Sequence, residues 1–210
     1  IISEPPRNPI TYVKSEVRTK DLIPTQKRLL GKGKSGQVHQ HLKSTKLAVK
    51  KSLNNLEKEY EIGMKLNHPQ LVKVHALYIK QYPHLDSNKI GHMKYKLVMD
   101  KINGRTISHY YSCSEKLSDE VARKILKQAQ QCVDYLFNQR IAWSDVNNGN
   151  IFIQEKEDLM IADFGNWRHF TDPQAGALQL LMGSMEIVGW IIKSSNIRAH
   201  NQKQLKLEQS

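Results

Sequence analysis

The pattern of apolar residues changes near residue 104, and this change most constrains the fold. Before it, KRLLGKGKSGQVHQHL is typical of a strand, a glycine turn and a second strand, and three further stretches are typical of strands: KLAVKKSL, LVKVHALYIK and YKLVMDKI. After it, apolar residues recur mainly at helical spacing. A strand-rich half followed by a helix-rich half predicts an α+β protein with two lobes joined near residues 100 to 104.

Helices are predicted at three places. NNLEKEYEIGMKLN has four apolar residues near one helical face: Leu56, Tyr60, Met64 and Leu66. SDEVARKILKQAQQCVDYLFNQ opens with a plausible N-cap at Ser118 and carries an apolar stripe: Val121, Ile125, Ala129, Cys132, Val133 and Leu136. GALQLLMGSMEIVGWIIKS predicts a last apolar helix, and IFI and LMIA before it predict a hairpin.

The first 24 residues contain four prolines and no sustained period, which predicts an irregular arm. Because the first residue is Ile1, we expect the sequence to begin inside a longer gene product. The predicted organisation is an arm over 1–24, a β-rich lobe over 25–102 and a helical lobe over 103–210.

Composition narrows the function classes. The two cysteines form no CxxC and the nine histidines no HExxH, so a metal would need oxygen ligands. The balance of 32 Lys+Arg against 20 Asp+Glu predicts attraction to acidic or phosphorylated partners, although a solvated basic surface explains much of it. No RNA-binding signature is present, so nucleic acid is not expected. No apolar run approaches the roughly 18 residues of a membrane span, which predicts a soluble chain, expected to be monomeric.

GKGKSGQV has the pattern GxGxxGxV, in which Gly31, Gly33 and Gly36 let backbone N–H groups approach phosphate oxygens. Alone it is equally typical of a plain glycine-rich hairpin. It lies between two predicted strands rather than between a strand and a helix, which argues against a dinucleotide-binding fold.

LAVK places Lys50 on an otherwise apolar strand, where an ammonium group needs a partner. The following helix offers Glu57, Glu59 and Glu61, of which Glu59 fits best by its spacing to NHP at 67–69. A surface lysine beside a solvated acidic helix is the alternative.

SDVNNGN and IADFGN add polar residues beside buried strands. Four residues separate Asp145 from Asn150, and Asp163 lies eighteen positions after Asp145. With the glycine loop, the strand lysine and the helix glutamate, these motifs resemble a eukaryotic-type protein kinase over roughly residues 25–168. The resemblance implies that Asp145 is the catalytic base, that Asn150 and Asp163 hold Mg²⁺, that Lys50 reaches the inner phosphates of ATP and that Glu59 fixes Lys50.

The resemblance also implies a nucleotide site. Its side-chain and glycine positions are Gly31, Gly33, Gly36, Val38, Ala48, Lys50 and the gatekeeper Met99. In LVMDKINGR, the backbone of Asp100 and Ile102 would face adenine. Asn148 is expected to be a turn residue rather than a ligand.

The chain departs from the family in informative ways. Trp143 and Ser144 stand where kinases have His and Arg before the catalytic aspartate, and Asn147 stands where serine/threonine kinases have lysine. No APE follows DFG, and only 45 residues follow Gly165, which predicts a bilobal kinase fold with a strongly truncated C-terminal lobe. DVNNGN resembles the DxNxGN pattern of small type III effector kinases of pathogenic bacteria, the OspG and NleH kind, or the Hop group.

The expected function is therefore transfer of the terminal phosphoryl group of ATP to Ser or Thr of a host protein. By this resemblance the protein would be secreted from a bacterium into the host cytoplasm, with a chaperone or a ubiquitin-pathway protein as partner. Two alternatives are a pseudokinase that acts by binding and a small-molecule phosphotransferase of the aminoglycoside type.

Overall fold

The computed structural model describes residues 10–15, 25–81, 93–113, 116–144 and 146–195. Its strands are β1 Ile10–Ser15, β2 Thr25–Gly33, β3 Gly36–His41, β4 Leu47–Ser52, β5 Val74–Gln81, β6 Met93–Asp100, β7 Gly104–Thr106, β8 Ile141–Ala142, β9 Ile151–Gln154, β10 Leu159–Ile161 and β11 Arg168–His169. Its helices are α1 Glu57–Lys65, α2 Ile107–Ser112, α3 Asp119–Asn138 and α4 Pro173–Ser194. The predicted α+β class is confirmed.

The chain divides into two compact units. The first comprises Ile1–Leu66 and Lys73–Lys101, and the second comprises Asn67–Val72 and Ile102–Ser210. The chain passes from the first unit to the second between Lys101 and Ile102. This point lies within residues 100 to 104, where the sequence pattern changes. The short segment after α1 belongs to the second unit because Leu71 pairs with Ile161 there.

The first unit is built on a six-stranded antiparallel sheet in the order β1-β5-β6-β4-β3-β2. The register pairs Lys50 with Val38 on one side and with Leu97 on the other, so these three side chains share a face. The opposite face buries a separate apolar cluster: Val49, Ala76, Tyr78 and Val98, with Leu47 packed against it. Burial raises the pKa of the Tyr78 hydroxyl.

The predicted N-terminal arm contains a strand, so the expectation of an irregular arm is wrong for that part. Residues 10–15 form β1, which pairs antiparallel with β5 at the edge of the sheet. ITYVKS carries the β-branched and aromatic residues typical of a strand, and the neighbouring prolines obscured this signal. Residues 1–9 and 16–24 of the predicted arm lie outside the described residues.

Helix α1 forms where it was predicted, but its buried face differs from the expected one. Its buried residues are Glu59, Ile62 and Gly63, whereas Tyr60 and Met64 are only half-buried. Leu56 and Leu66 flank the helix and are buried. The helix turns toward the sheet with a glutamate on its buried face, which a purely apolar pattern does not anticipate.

The second unit is organised around α3 and α4. Ser118 caps α3 by accepting a hydrogen bond at Oγ from the Val121 N–H at 3.2 Å, and the predicted stripe is buried except at Val133, which is half-buried. The hairpin predicted from IFI and LMIA is β9–β10. Strand β7, which pairs with β9, and helix α2 were not predicted.

Helix α4 does not contradict the prediction of no membrane span, although it is long and apolar. By length and composition it is apolar enough to cross a membrane. Core helices pass the same test, and six residues of α4 are buried within this unit: Gly176, Leu180, Gly183, Ile187, Ile191 and Ser194. A second face remains exposed: Leu178, Leu181, Met182, Met185 and Val188.

Candidate active site

The glycine-rich motif forms a tight hairpin between β2 and β3. Gly33 pairs with Gly36 across the turn at Lys34 and Ser35. Gly36 has φ +140°, and a Cβ there would collide with the carbonyl oxygen of Lys51, so no other residue fits. A Cβ on Gly31 or Gly33 would meet nothing within 4 Å, so packing within the described residues does not require these two glycines.

Lys50 and Glu59 form a buried ion pair. The Lys50 Nζ atom lies 2.7 Å from Glu59 Oε2 and 3.0 Å from Oε1, and each side chain is 5% exposed. The predicted pairing is therefore observed, and it fixes the helix register. Glu57 instead accepts a hydrogen bond from the Asn55 side chain, and Glu61 is exposed. A bidentate, desolvated carboxylate holds the amine in one position on the sheet.

The face of the sheet that carries Lys50 also carries the predicted adenine-side residues. Val38 pairs with Lys50, and Ala48 pairs with Met99. Ala48 is 3% exposed and Met99 is 7% exposed. Val38, on β3 next to the edge strand β2, is half-buried. Small and flexible apolar side chains at these positions leave a smooth surface, which suits the flat ring of a base.

The predicted hinge begins at the end of β6. The Asp100 N–H donates to the Lys73 carbonyl at 2.9 Å, so only its carbonyl is left to face adenine. The Asp100 side chain binds His75 Nε2 at 2.7 Å. Ile102, the second predicted hinge residue, is half-buried and belongs to the second unit.

In the second unit, the β9–β10 hairpin brings the predicted magnesium ligands to one end. Ile151 pairs with Ile161, and the Ala162 N–H donates to the Asn150 carbonyl at 3.0 Å. Asp163 follows directly, with φ +68° and its Oδ1 accepting from the Gly165 N–H at 3.4 Å. An aspartate tolerates this left-handed conformation because its short side chain bonds locally to the backbone.

The loop before this hairpin is shaped by its asparagines. Asn147 Oδ1 accepts from the Gly149 N–H at 2.8 Å, and the Asn147 carbonyl accepts from the Asn150 N–H at 3.0 Å. Asn148 lies in the turn, as predicted, and its carbonyl accepts from Ser108 in the first turn of α2. Asp145, the predicted catalytic base, lies outside the described residues, so its role remains a prediction.

An aromatic cluster, which the sequence did not reveal, supports this loop. Trp143 is 1% exposed, and its indole N–H donates to the Leu180 carbonyl of α4 at 3.2 Å. Trp167 packs edge-on against Phe164 at 4.7 Å and against Trp143 at 6.1 Å between ring centroids. The cluster thus links the WSD segment to the DFG segment. In the sequence, the only signal for this cluster is that Trp143 and Trp167 lie beside the two motifs.

Short pairings hold the segment after DFG. β11 pairs with β8, the Phe170 N–H donates to the Arg140 carbonyl at 3.0 Å, and the Ser144 hydroxyl donates to the Asn166 carbonyl. α4 then begins at Pro173, capped by the Asp172 side chain. Ser144 therefore binds backbone at the position where the family places an arginine.

Gln128 is a further residue that sequence reasoning missed. Its side chain accepts the Leu159 N–H at 2.7 Å and donates to Asp158 at 2.8 Å, which holds the β9–β10 hairpin against α3. Hydrogen bonds from Lys124 and Gln128 lower the pKa of Asp158. A helix-surface glutamine carries no sequence signature for this task.

The residues present fit magnesium and ATP. Asn150 and Asp163 supply hard oxygen atoms at one end of a hairpin, and Mg²⁺ needs only one or two such protein ligands when phosphates and water complete its shell. In the described residues no cluster of three His, Cys, Asp or Glu offers another metal site. The open space over Gly31 and Gly33 leaves room for phosphates beside the backbone.

Comparison with known proteins identifies the family. Residues 25–189 match the protein kinase domain, and the chain belongs to the protein kinase family. It is 27% identical over 148 residues to human NUAK family SNF1-like kinase 2, covering 65% of this chain and 22% of that protein. It is 28% identical over 152 residues to Aurora/IPL1-related protein kinase 2 of Caenorhabditis elegans, covering 66% of this chain and 46% of that protein. It is 27% identical over 190 residues to an Aurora kinase of Eremothecium gossypii, covering 84% of this chain and 47% of that protein. The chain thus spans less than half the length of these relatives.

Proposed function

We propose that the protein is an ATP-dependent serine/threonine protein kinase. The observation that carries the proposal is the buried, bidentate Lys50–Glu59 pair. It lies on the sheet face that continues into the glycine-rich hairpin through Val38. A lysine held in this way presents a fixed positive charge to phosphate oxygens, whereas a lysine needed only for surface charge would not be buried against a glutamate.

Each predicted site residue has a distinct role in phosphoryl transfer. The acceptor hydroxyl oxygen forms a bond to the terminal phosphorus while the bond to the bridging oxygen of ADP breaks. In the proposal Asp145 accepts the hydroxyl proton, and Lys50 offsets charge on the inner phosphates. Asn150 and Asp163 would hold Mg²⁺, which would offset the charge of the phosphates when bound. The N–H groups of the glycine hairpin position the phosphates.

We further propose that the protein is a secreted bacterial effector that acts on a protein in the host cytoplasm. The DxNxGN loop and the short connection from Gly165 to α4 support this, because both depart from the eukaryotic pattern. Substrate docking would then use surfaces other than a long activation segment. A chaperone or a ubiquitin-pathway protein is the partner class proposed from the effector resemblance.

The deciding experiment is incubation of the protein with Mg²⁺ and ATP labelled at the terminal phosphate, alone and with eukaryotic lysate. Label on Ser or Thr of a protein is expected, and Asp145→Asn protein should give none. Label on small molecules would instead identify a phosphotransferase of the aminoglycoside type. Absence of any transfer, together with retained binding of a protein partner, would identify a binding module.

A further inference from the structure

The chain's positive charge is concentrated in its first unit. The described residues of the first unit contain 16 lysines and arginines and four acidic residues, whereas those of the second contain nine of each. The formal charges are therefore +12 and zero. The basic character is a property of one unit rather than of the whole surface.

Within that unit, four lysines share the sheet face opposite α1. Lys50 points toward α1, so the adjacent Lys51 points away from it. Lys51 pairs directly with Lys96 across β4 and β6, and Lys80 pairs with Lys94 across β5 and β6. Like charges directly opposite each other on a sheet are destabilising.

Among the described residues of this face, no acidic residue lies beside the Lys51–Lys96 pair. Neither Lys51 nor Lys96 makes an ion pair there. Asp100 is four residues along β6 from Lys96, roughly 13 Å away at strand spacing, and already binds His75. The other acids of the described unit are the glutamates of α1, on the opposite side of the sheet.

The lysines border a concave site. A cavity of about 300 Å³ is lined by Lys51, Lys94 and Lys96 together with Gly36, Gln37 and Tyr95. Partial burial, and then the charge of Lys96, lowers the pKa of Lys51. The volume is at the lower limit of small-molecule sites, so it fits a compact anion better than an extended polymer.

We propose that this cavity is a binding site for a compact ligand with several phosphate groups, such as an inositol polyphosphate, free or as a lipid headgroup. Lys51 and Lys96 bind the phosphates as point charges, and the bound anion removes the repulsion between them. Its lysines lie on the opposite face of the sheet from Lys50, whereas Gly36, which also lines the cavity, belongs to the predicted glycine loop. The proposal does not rest on kinase activity.

Titration calorimetry with myo-inositol hexakisphosphate at physiological salt tests the proposal. The Lys51→Gln/Lys96→Gln protein should bind at least about tenfold more weakly than wild type. The matched control is Lys58→Gln/Lys65→Gln, which removes the same charge from exposed positions on α1 and should change affinity far less. An equal loss in both variants would show diffuse attraction and overturn the proposal.

Four further measurements distinguish this site from the alternatives. Without ligand, the Lys51→Gln/Lys96→Gln protein should melt at the same temperature as wild type or higher, because a repulsive pair is gone. Mg-ATP in excess should not displace the inositol phosphate, and displacement would assign the anion to the nucleotide site. Binding to phosphatidylcholine vesicles with and without phosphatidylinositol 4,5-bisphosphate shows whether the site takes a lipid headgroup or only a soluble inositol polyphosphate. Binding of poly-aspartate or an oligonucleotide in preference to both would contradict the proposal.

Discussion

The indole of Trp143 packs directly against Gly183, at the point where α4 passes the segment leading to Asp145. A Cβ at Gly183 would collide with the indole ring and lie 2.9 Å from the Val146 side chain. The same indole donates to the Leu180 carbonyl one turn earlier in α4. The absence of a side chain at one residue therefore sets how close the helix lies to the predicted catalytic loop.

Gly183→Ala should therefore destabilise the protein by about 1–3 kcal/mol, since the buried indole has little room to move. Gly189→Ala is the matched control on the same helix, where a Cβ meets nothing within 4 Å. It should stabilise the protein by up to about 1 kcal/mol through helix propensity. Chemical denaturation of both variants measures the two effects, and similar values would contradict the packing described.

Glu59→Gln should strongly reduce phosphoryl transfer and destabilise the protein by about 3–5 kcal/mol. It leaves the Lys50 ammonium buried without its carboxylate. Glu61→Gln, on the same helix but exposed, should remain within about 0.5 kcal/mol of wild type and keep its activity. Transfer rates and urea unfolding compare the two, and an active Glu59→Gln protein would remove the basis of the proposed function.

Substitution of the two predicted active-site aspartates should affect different steps, one the phosphoryl transfer and the other the binding of Mg-ATP. Asp145→Asn should remove transfer and leave most Mg-ATP affinity, because this side chain is proposed to contact the acceptor hydroxyl. Asp163→Asn should weaken Mg-ATP binding, because Asp163 is proposed to hold the metal. Calorimetry with Mg-ATP on both variants provides the measurement. Equal loss of binding in the two would refute the assignment.

The protein should be active without phosphorylation of the segment after DFG. Where many kinases have an arginine that binds a phosphorylated segment, Ser144 donates instead to the Asn166 carbonyl. Pairing of β11 with β8 holds the same segment through its backbone. Phosphatase treatment should leave the transfer rate unchanged. A large loss, restored by phosphorylation between Asn166 and Gly176, would disprove this expectation.

Stability should fall as the pH drops below about 6.5, in part through His68. Burial lowers the pKa of His68, which stacks on Tyr135 with ring centroids 4.8 Å apart. The unfolded chain then binds a proton at higher pH than the folded protein, so acidification favours unfolding. His68→Asn keeps an acceptor for the Gln70 N–H and should lose less stability between pH 7 and 5.5 than wild type. His109→Asn, at an exposed position, is the control, and identical pH profiles for His68→Asn and wild type would count against this role.

Local patterns in the sequence determined much of the fold. The strand-like runs, the Ser118 cap and the buried stripe of α3 were readable because period and capping are properties of neighbouring residues. The kinase motifs were readable for a related reason, since each function there is tied to a residue type at a fixed spacing. Pairing of Lys50 with Glu59 followed from the cost of burying an unpaired ammonium.

Tertiary structure alone decided the rest, because it depends on residues far apart in the chain. The edge strand β1 exists through pairing with β5, more than sixty positions away. Gln128 holds the β9–β10 hairpin, and Gly183 admits Trp143, only once helices have packed. Lys51 and Lys96 are unremarkable in the sequence, and antiparallel register makes them neighbours. Sequence spacing cannot convey such contacts, since folding sets distance in space independently of distance along the chain.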